Sequence, residues 1–180
     1  YSVELRPKNY LCLNKAFRIH RIALLDKLLA KGLVNDKCYY SFYDSLDPDK
    51  ITKLLAGPRL VHNYPSIYDN VEYVKTLRLN FNKDRPNPVD ILPEDFGLFD
   101  QTYYSVVTET LYYDTTMHNQ RFGFEPTYWN SFFFTEKIFK CCTLLHPFVL
   151  VACVNYLSAL RDHGYKTFHP YIDEIGRAHV

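Results

Sequence analysis

The sequence predicts an α/β fold, a Rossmann-like parallel sheet flanked by helices, and three observations predict it. Apolar strand-like runs alternate with helix-like ones along most of the chain. The first two strand candidates are separated by a full helix-length crossover, which parallel pairing needs and a hairpin does not. With 47% hydrophobic and 23% charged residues, 180 residues can bury a core and are not compositionally disordered.

NYLCLN (Asn9–Asn14) is the first strand. Phe17 to Lys31 reads as a helix, because Ile22, Leu25 and Leu29 recur at spacings of three and four and Gly32 follows as a stop. KCYYSF (Lys37–Phe42) is the next strand. Pro48 to Leu55 and Ser66 to Leu79 each have room for a helix, with the loop-like AGPRLVHNYP between them. Asn82 to Phe99 carries Pro86, Pro88 and Pro93 and reads as a surface connection. YYSVVTE (Tyr103–Glu109) is a strand ending in a carboxylate, and a polar, aromatic loop follows it to Asn130. A helix from Glu136 to Leu145 leads into a strand at Phe148 to Ala152. Asn155 is placed to N-cap a helix running through Asp162, with Gly164 closing it, and KTF is a last short strand.

Composition narrows the function. The formal charge is +1, without the basic stripe of a nucleic-acid-binding protein. No run of about 18 apolar residues exists, so no membrane span is expected. Five cysteines, an odd number set in apolar runs without a CxxC pair, point to buried thiols in a reducing, cytoplasmic compartment. No metal is expected, since cysteine and the seven histidines show no ligand spacing. Asp47 and Asp49 in LDPDK form an Asp-x-Asp, but Pro48 between them suits a capping turn better than a metal site. Phosphate-loop and dinucleotide glycine fingerprints are absent. The chain reads as one domain over residues 1–174, a piece of a longer protein because it opens on Tyr1. Residues 175–180 read as a tail from a sequencing-library adapter, since GAGATCGGAAGAGCACACGTC encodes EIGRAHV, and no site is placed there.

Charge collects at two strand–helix junctions. In FFFTEKIFK, Thr135 stands at an N-cap, and Lys137 and Lys140 lie in the first turn and a half of the helix. Cations there oppose the helix dipole by roughly 0.3–1 kcal/mol each unless an anion binds them. A phosphate would satisfy both lysines and the open N–H groups, and Glu136 suits a pair of ribose hydroxyls. The plainer alternative is a Glu136–Lys140 surface pair worth roughly 0.2–0.5 kcal/mol. LNKAFRIHR repeats the pattern, with Lys15, Arg18, His20 and Arg21 over a helix start and Arg18 and Arg21 spaced to share a face. Tyr112, Tyr113, Tyr128 and Trp129 are the aromatic candidates for a ligand wall.

Taken together, NYLCLNKAFRIHR, SVVTET, FFTEKIF and HPFVLV resemble the C-terminal, nucleotide-sugar-binding half of GT-B glycosyltransferases, and most closely the α1,3-fucosyltransferase-like family. The sequence is also similar to a group of uncharacterised tailed-phage and environmental proteins in which LCLN…HR…LL, VTET, TEKxFK and GYKTF recur in this order. The resemblance spans Asn9 to Glu174 as scattered short motifs. Leu144, Leu145 and His146 stand where that family has a small-residue run. The resemblance implies metal-independent transfer of a sugar from a nucleoside diphosphate to a hydroxyl of a glycan or another acceptor. It implies Arg18 or Arg21 and Lys137 on the diphosphate, Glu136 on the ribose, and Glu109 near the sugar or ribose. The catalytic base of such enzymes commonly lies in an N-terminal half, so no residue is given that role, and the piece alone is expected to be inactive. The alternative is a non-catalytic viral or phage interaction module of the same fold, with its charged junctions apart.

Overall fold

The computed structural model describes residues 5–14, 18–42, 64–77, 93–110, 112, 134–153 and 155–168. The expected helix at 48–55, the Asp47–Asp49 turn, Lys15, Tyr113, Tyr128, Trp129 and the 175–180 tail lie outside them. The chain divides into two compact units, Tyr1–Thr108 with Glu136–Val149, and Glu109–Thr135 with Leu150–Val180.

The elements are β1 (Lys8–Asn14), α1 (Ile19–Ala30), β2 (Cys38–Phe42), α2 (Pro65–Asp69), α3 (Val71–Thr76), α4 (Pro93–Asp100), β3 (Thr102–Thr108), α5 (Glu136–Thr143), β4 (Phe148–Val151) and α6 (Tyr156–Asp162). The four strands form one sheet in the order β2-β1-β3-β4. β1 runs parallel to β2, from Tyr10 opposite Cys38 to Asn14 opposite Phe42, and parallel to β3, with Leu11 opposite Ser105. Ser105 N–H donates to Pro147 O and Glu109 N–H to Val151 O, a constant offset that makes β3 and β4 parallel as well. The expected α/β fold with a parallel sheet is therefore present.

The core of the first unit is where β1 and β2 meet α1. Tyr10, Cys12, Cys38 and Tyr40 pack with Ile22, Leu25, Ile67, Val74 and Leu77. Burying a side chain such as Leu25 stabilises by about 1.5–3 kcal/mol. Burial also pushes the Cys12 thiol up to about 12, so this cysteine is a small apolar filler and not a nucleophile. The buried face of α1 also carries Asp26, whose Oδ1 accepts the Ile67 N–H at 3.1 Å. That amide belongs to the first turn of α2, so a carboxylate 41 residues away does the work of an N-cap.

Three helices end in the same hydrogen-bonded turn. After α1, Gly32 N–H donates to Leu29 O and Leu33 N–H to Leu28 O; after α6, Gly164 N–H donates to Arg161 O and Tyr165 N–H to Leu160 O. Both glycines have positive φ, which this turn requires. After α5, Leu145 N–H donates to Cys142 O and His146 N–H to Cys141 O, but the left-handed position is held by Leu145 at φ 50°. His146 is buried beyond it, edge-on to Phe99 at 5.0 Å.

Four expectations are corrected. Residues 93–100, read as surface connection, form α4: Pro93 signals a loop, yet proline also suits the first position of a helix, where no N–H is needed. Asn155 precedes α6 with a left-handed backbone at φ 64° and no side-chain cap bond, so it turns the chain and does not cap it. KTF is not a strand: among the described residues it has no ladder partner. Where one helix was expected over Ser66 to Leu79, the described residues form two short helices, α2 and α3, joined at Asn70.

Leu145→Gly is expected to stabilise the protein by about 1 kcal/mol, because the left-handed turn costs a leucine about that much and its side chain, 91% exposed, has little packing to lose; a denaturation midpoint that falls would contradict this. Burial, first, and the charge of Arg6 hold His146 below its ordinary 6.5, against the Tyr104 backbone bond and the charge of Asp100. The unfolded chain therefore takes up the proton first. The contribution of His146 to stability is expected to be level above pH 6.5 and to fall as the pH drops below it, and His146→Gln should remove that part of the acid slope.

Candidate functional site

In a sheet ordered β2-β1-β3-β4, the chain winds one way from β1 to β2 and then returns to β1's other side. The switch point lies between β1 and β3, and in open parallel sheets ligands sit outside the carboxyl ends of the strands at that point. Those ends are Asn14 and Thr108. Both are buried, and the Thr108 hydroxyl donates to Asn14 Oδ1. Asn14 Nδ2 donates to Cys12 Sγ at 3.3 Å.

Arg21 reaches this edge from the first turn of α1. Its Nη2 donates to Thr108 O at 3.1 Å, and the residue is only 2% exposed. A guanidinium buried at a strand end holds that carbonyl in place. Arg18, expected to share its face, does not: it is the N-cap residue, with extended backbone, so helical spacing does not yet apply, and it is exposed.

The first turn of α5 also belongs at the carboxyl edge, because a helix crossing between parallel β3 and β4 starts where β3 ends. Lys137 Nζ lies 3.3 Å from Glu136 Oε1, an adjacent pair that offsets the lysine's conflict with the helix dipole. The alternative Glu136–Lys140 pair is replaced by this one. The helix is only eight residues long, so Lys140 falls in its last turn, where a cation is favoured. The rise to Lys140 also carries it about 4.5 Å beyond Lys137 along the axis.

The second unit begins with Glu109, directly after Thr108. This carboxylate is fully buried. Oε2 accepts the Thr135 hydroxyl at 2.6 Å and the Thr110 N–H at 3.3 Å, and Oε1 accepts the Tyr156 hydroxyl at 2.9 Å. Burial and then the negative charge of Glu109 raise the Tyr156 phenol well above its ordinary range, so it stays a donor. Its ring meets Phe134 edge-on at 5.0 Å, and Phe134 meets His163 at 5.2 Å. Tyr112 is half-buried.

Sequence reasoning singled out Glu109 and Thr135 but not their bond, and it missed Asn14, Thr108 and Tyr156. The polar ends of two apolar strands were the available signal for Asn14 and Thr108. Tyr156 had none, being one of 16 tyrosines. Among the described residues, no group of three His, Cys, Asp or Glu is placed to hold a metal, and no helix is long and apolar enough to cross a membrane. Comparison with family models, curated proteins and solved structures found no match.

Tyr156→Phe is expected to lower stability by about 1–3 kcal/mol, since it leaves a buried carboxylate oxygen short of a donor. Thr135→Val should do the same and Thr135→Ser should restore most of the loss; denaturant unfolding reads all three.

Proposed function

We propose that the carboxyl edge of the sheet binds the diphosphate of a nucleotide sugar, and that the chain is the donor-binding part of a GT-B-like glycosyltransferase. The observation that carries this reading is the coincidence of the β1/β3 switch point with the charged helix starts. Asn14, Thr108 and Arg21 form the floor, tied together and inaccessible. Arg18, exposed beside it at the start of α1, supplies a cation to the diphosphate. Lys137 supplies another, and Glu136 has its second oxygen for ribose hydroxyls. In the transfer, an acceptor hydroxyl attacks the anomeric carbon and the bond to the diphosphate breaks. Fixed cations then stabilise the charge growing on the leaving phosphate better than reorganising water would. The hydroxyl proton goes to a base outside these residues.

One observation favours a second reading, an interaction module of the same fold without chemistry. Arg21 and Glu109 are buried and hydrogen-bonded within the protein, as structural braces are.

Calorimetric titration with a panel of nucleoside diphosphates in metal-free buffer separates the two. The donor-binding reading expects at least one to bind, and Lys137→Ala and Arg18→Ala each to weaken it roughly tenfold, the loss of one charge-assisted contact. No binding, or affinity indifferent to both changes, leaves the interaction module.

A further inference from the structure

The amino ends of the strands, opposite the proposed donor edge, carry a pocket of about 260 Å3. Arg6, just before β1, and Asp100, the last residue of α4, both line it. Phe96, Phe99, Leu144 and Leu145 supply apolar wall, and His146 is buried behind them.

Arg6 is half committed. Its Nη1 donates to Phe99 O at 3.0 Å and to Thr102 O, placing a cation over the C-terminal end of α4. Among the described residues, its Nη2 and Nε make no hydrogen bond, and the Asp100 carboxylate has neither a hydrogen bond nor an ion pair. Opposite charges on one pocket wall usually close on each other; these two face the same space without doing so. The rim is apolar and exposed, with Phe96 at 46% and Leu145 at 91%. Leu145 is also the non-glycine residue in the left-handed turn, and such local costs gather where a ligand is held. The volume falls below the roughly 300–1,000 Å3 of sites for drug-sized ligands, which leaves room for one small metabolite.

We propose that this pocket binds a small zwitterion with an apolar body, the chemistry of a free aliphatic or aromatic α-amino acid. The ammonium meets Asp100, the carboxylate meets the open N–H groups of Arg6, and the side chain lies across Phe96 and Leu145. Charge-assisted bonds at both poles select a molecule carrying both charges close together. The pocket is independent of the donor edge, so neither proposal falls with the other.

Titration of the full chain with L-phenylalanine and L-leucine tests it, followed by calorimetry or by chemical-shift changes. Binding is expected in the millimolar range, with N-acetyl-phenylalanine and phenylalanine amide each weaker by at least about tenfold. Asp100 is exposed and its carboxylate has no bonding partner among the described residues, so Asp100→Asn should fold normally and bind about tenfold more weakly. No binding of either amino acid at tens of millimolar overturns the proposal. So does equal affinity for the blocked derivatives, or unchanged affinity in Asp100→Asn.

Discussion

β1 bonds to parallel partners on both sides, β2 and β3, and the rest of the described structure follows from that double pairing. A strand with ladders on both edges and covered faces cannot alternate apolar and polar residues, and Tyr10, Leu11 and Cys12 are buried in succession. The same pairing creates the switch point, because the chain leaves β1 toward β2 and comes back beside it as β3. Strand ends buried there must satisfy their polar groups internally. The Thr108 hydroxyl on Asn14 and the Arg21 guanidinium on Thr108 O do so. Hydrogen bonds involving a charged group are worth about 1.5–3 kcal/mol, and breaking one would leave a buried group with nowhere to turn.

Helix ends show where local preference and tertiary demand part company. Gly32 and Gly164 take the left-handed position at no steric cost, and Leu145 takes it against preference while exposing its side chain. Disagreement across levels of this kind gathers at sites with another purpose. Helix α5 therefore has two distinct ends: a charged start at the proposed donor edge and a strained finish at the amino-end pocket.

Electrostatics at the donor edge rest on fewer residues than the count of cations implies. Arg21 is spent on a backbone carbonyl, and Lys140 is well placed for the dipole of a short helix. Lys137 and Arg18 are the cations whose positions a bound anion would explain, with Glu136 already offsetting one of them. Glu109 is held by three donors within its own unit and braces the chain just beyond the end of β3.

Read alone, the residues determined the order and kind of most described elements, since period and punctuation are local. Ile22, Leu25 and Leu29 mark α1, Gly32 and Gly164 mark its end and that of α6, and the length of the first crossover implies parallel pairing. Local signals failed where one residue type serves two structures: Pro93 opens a helix inside a proline-rich stretch, and Asn155 turns where it could have capped. Only the tertiary structure decided the partners. Asp26 caps a helix 41 residues on, Tyr156 reaches Glu109 across 47, and Arg21 finds Thr108 across 87. A hydrogen bond depends on separation in space, and a linear pattern records none of the folding that brings such residues within 3 Å or so of each other.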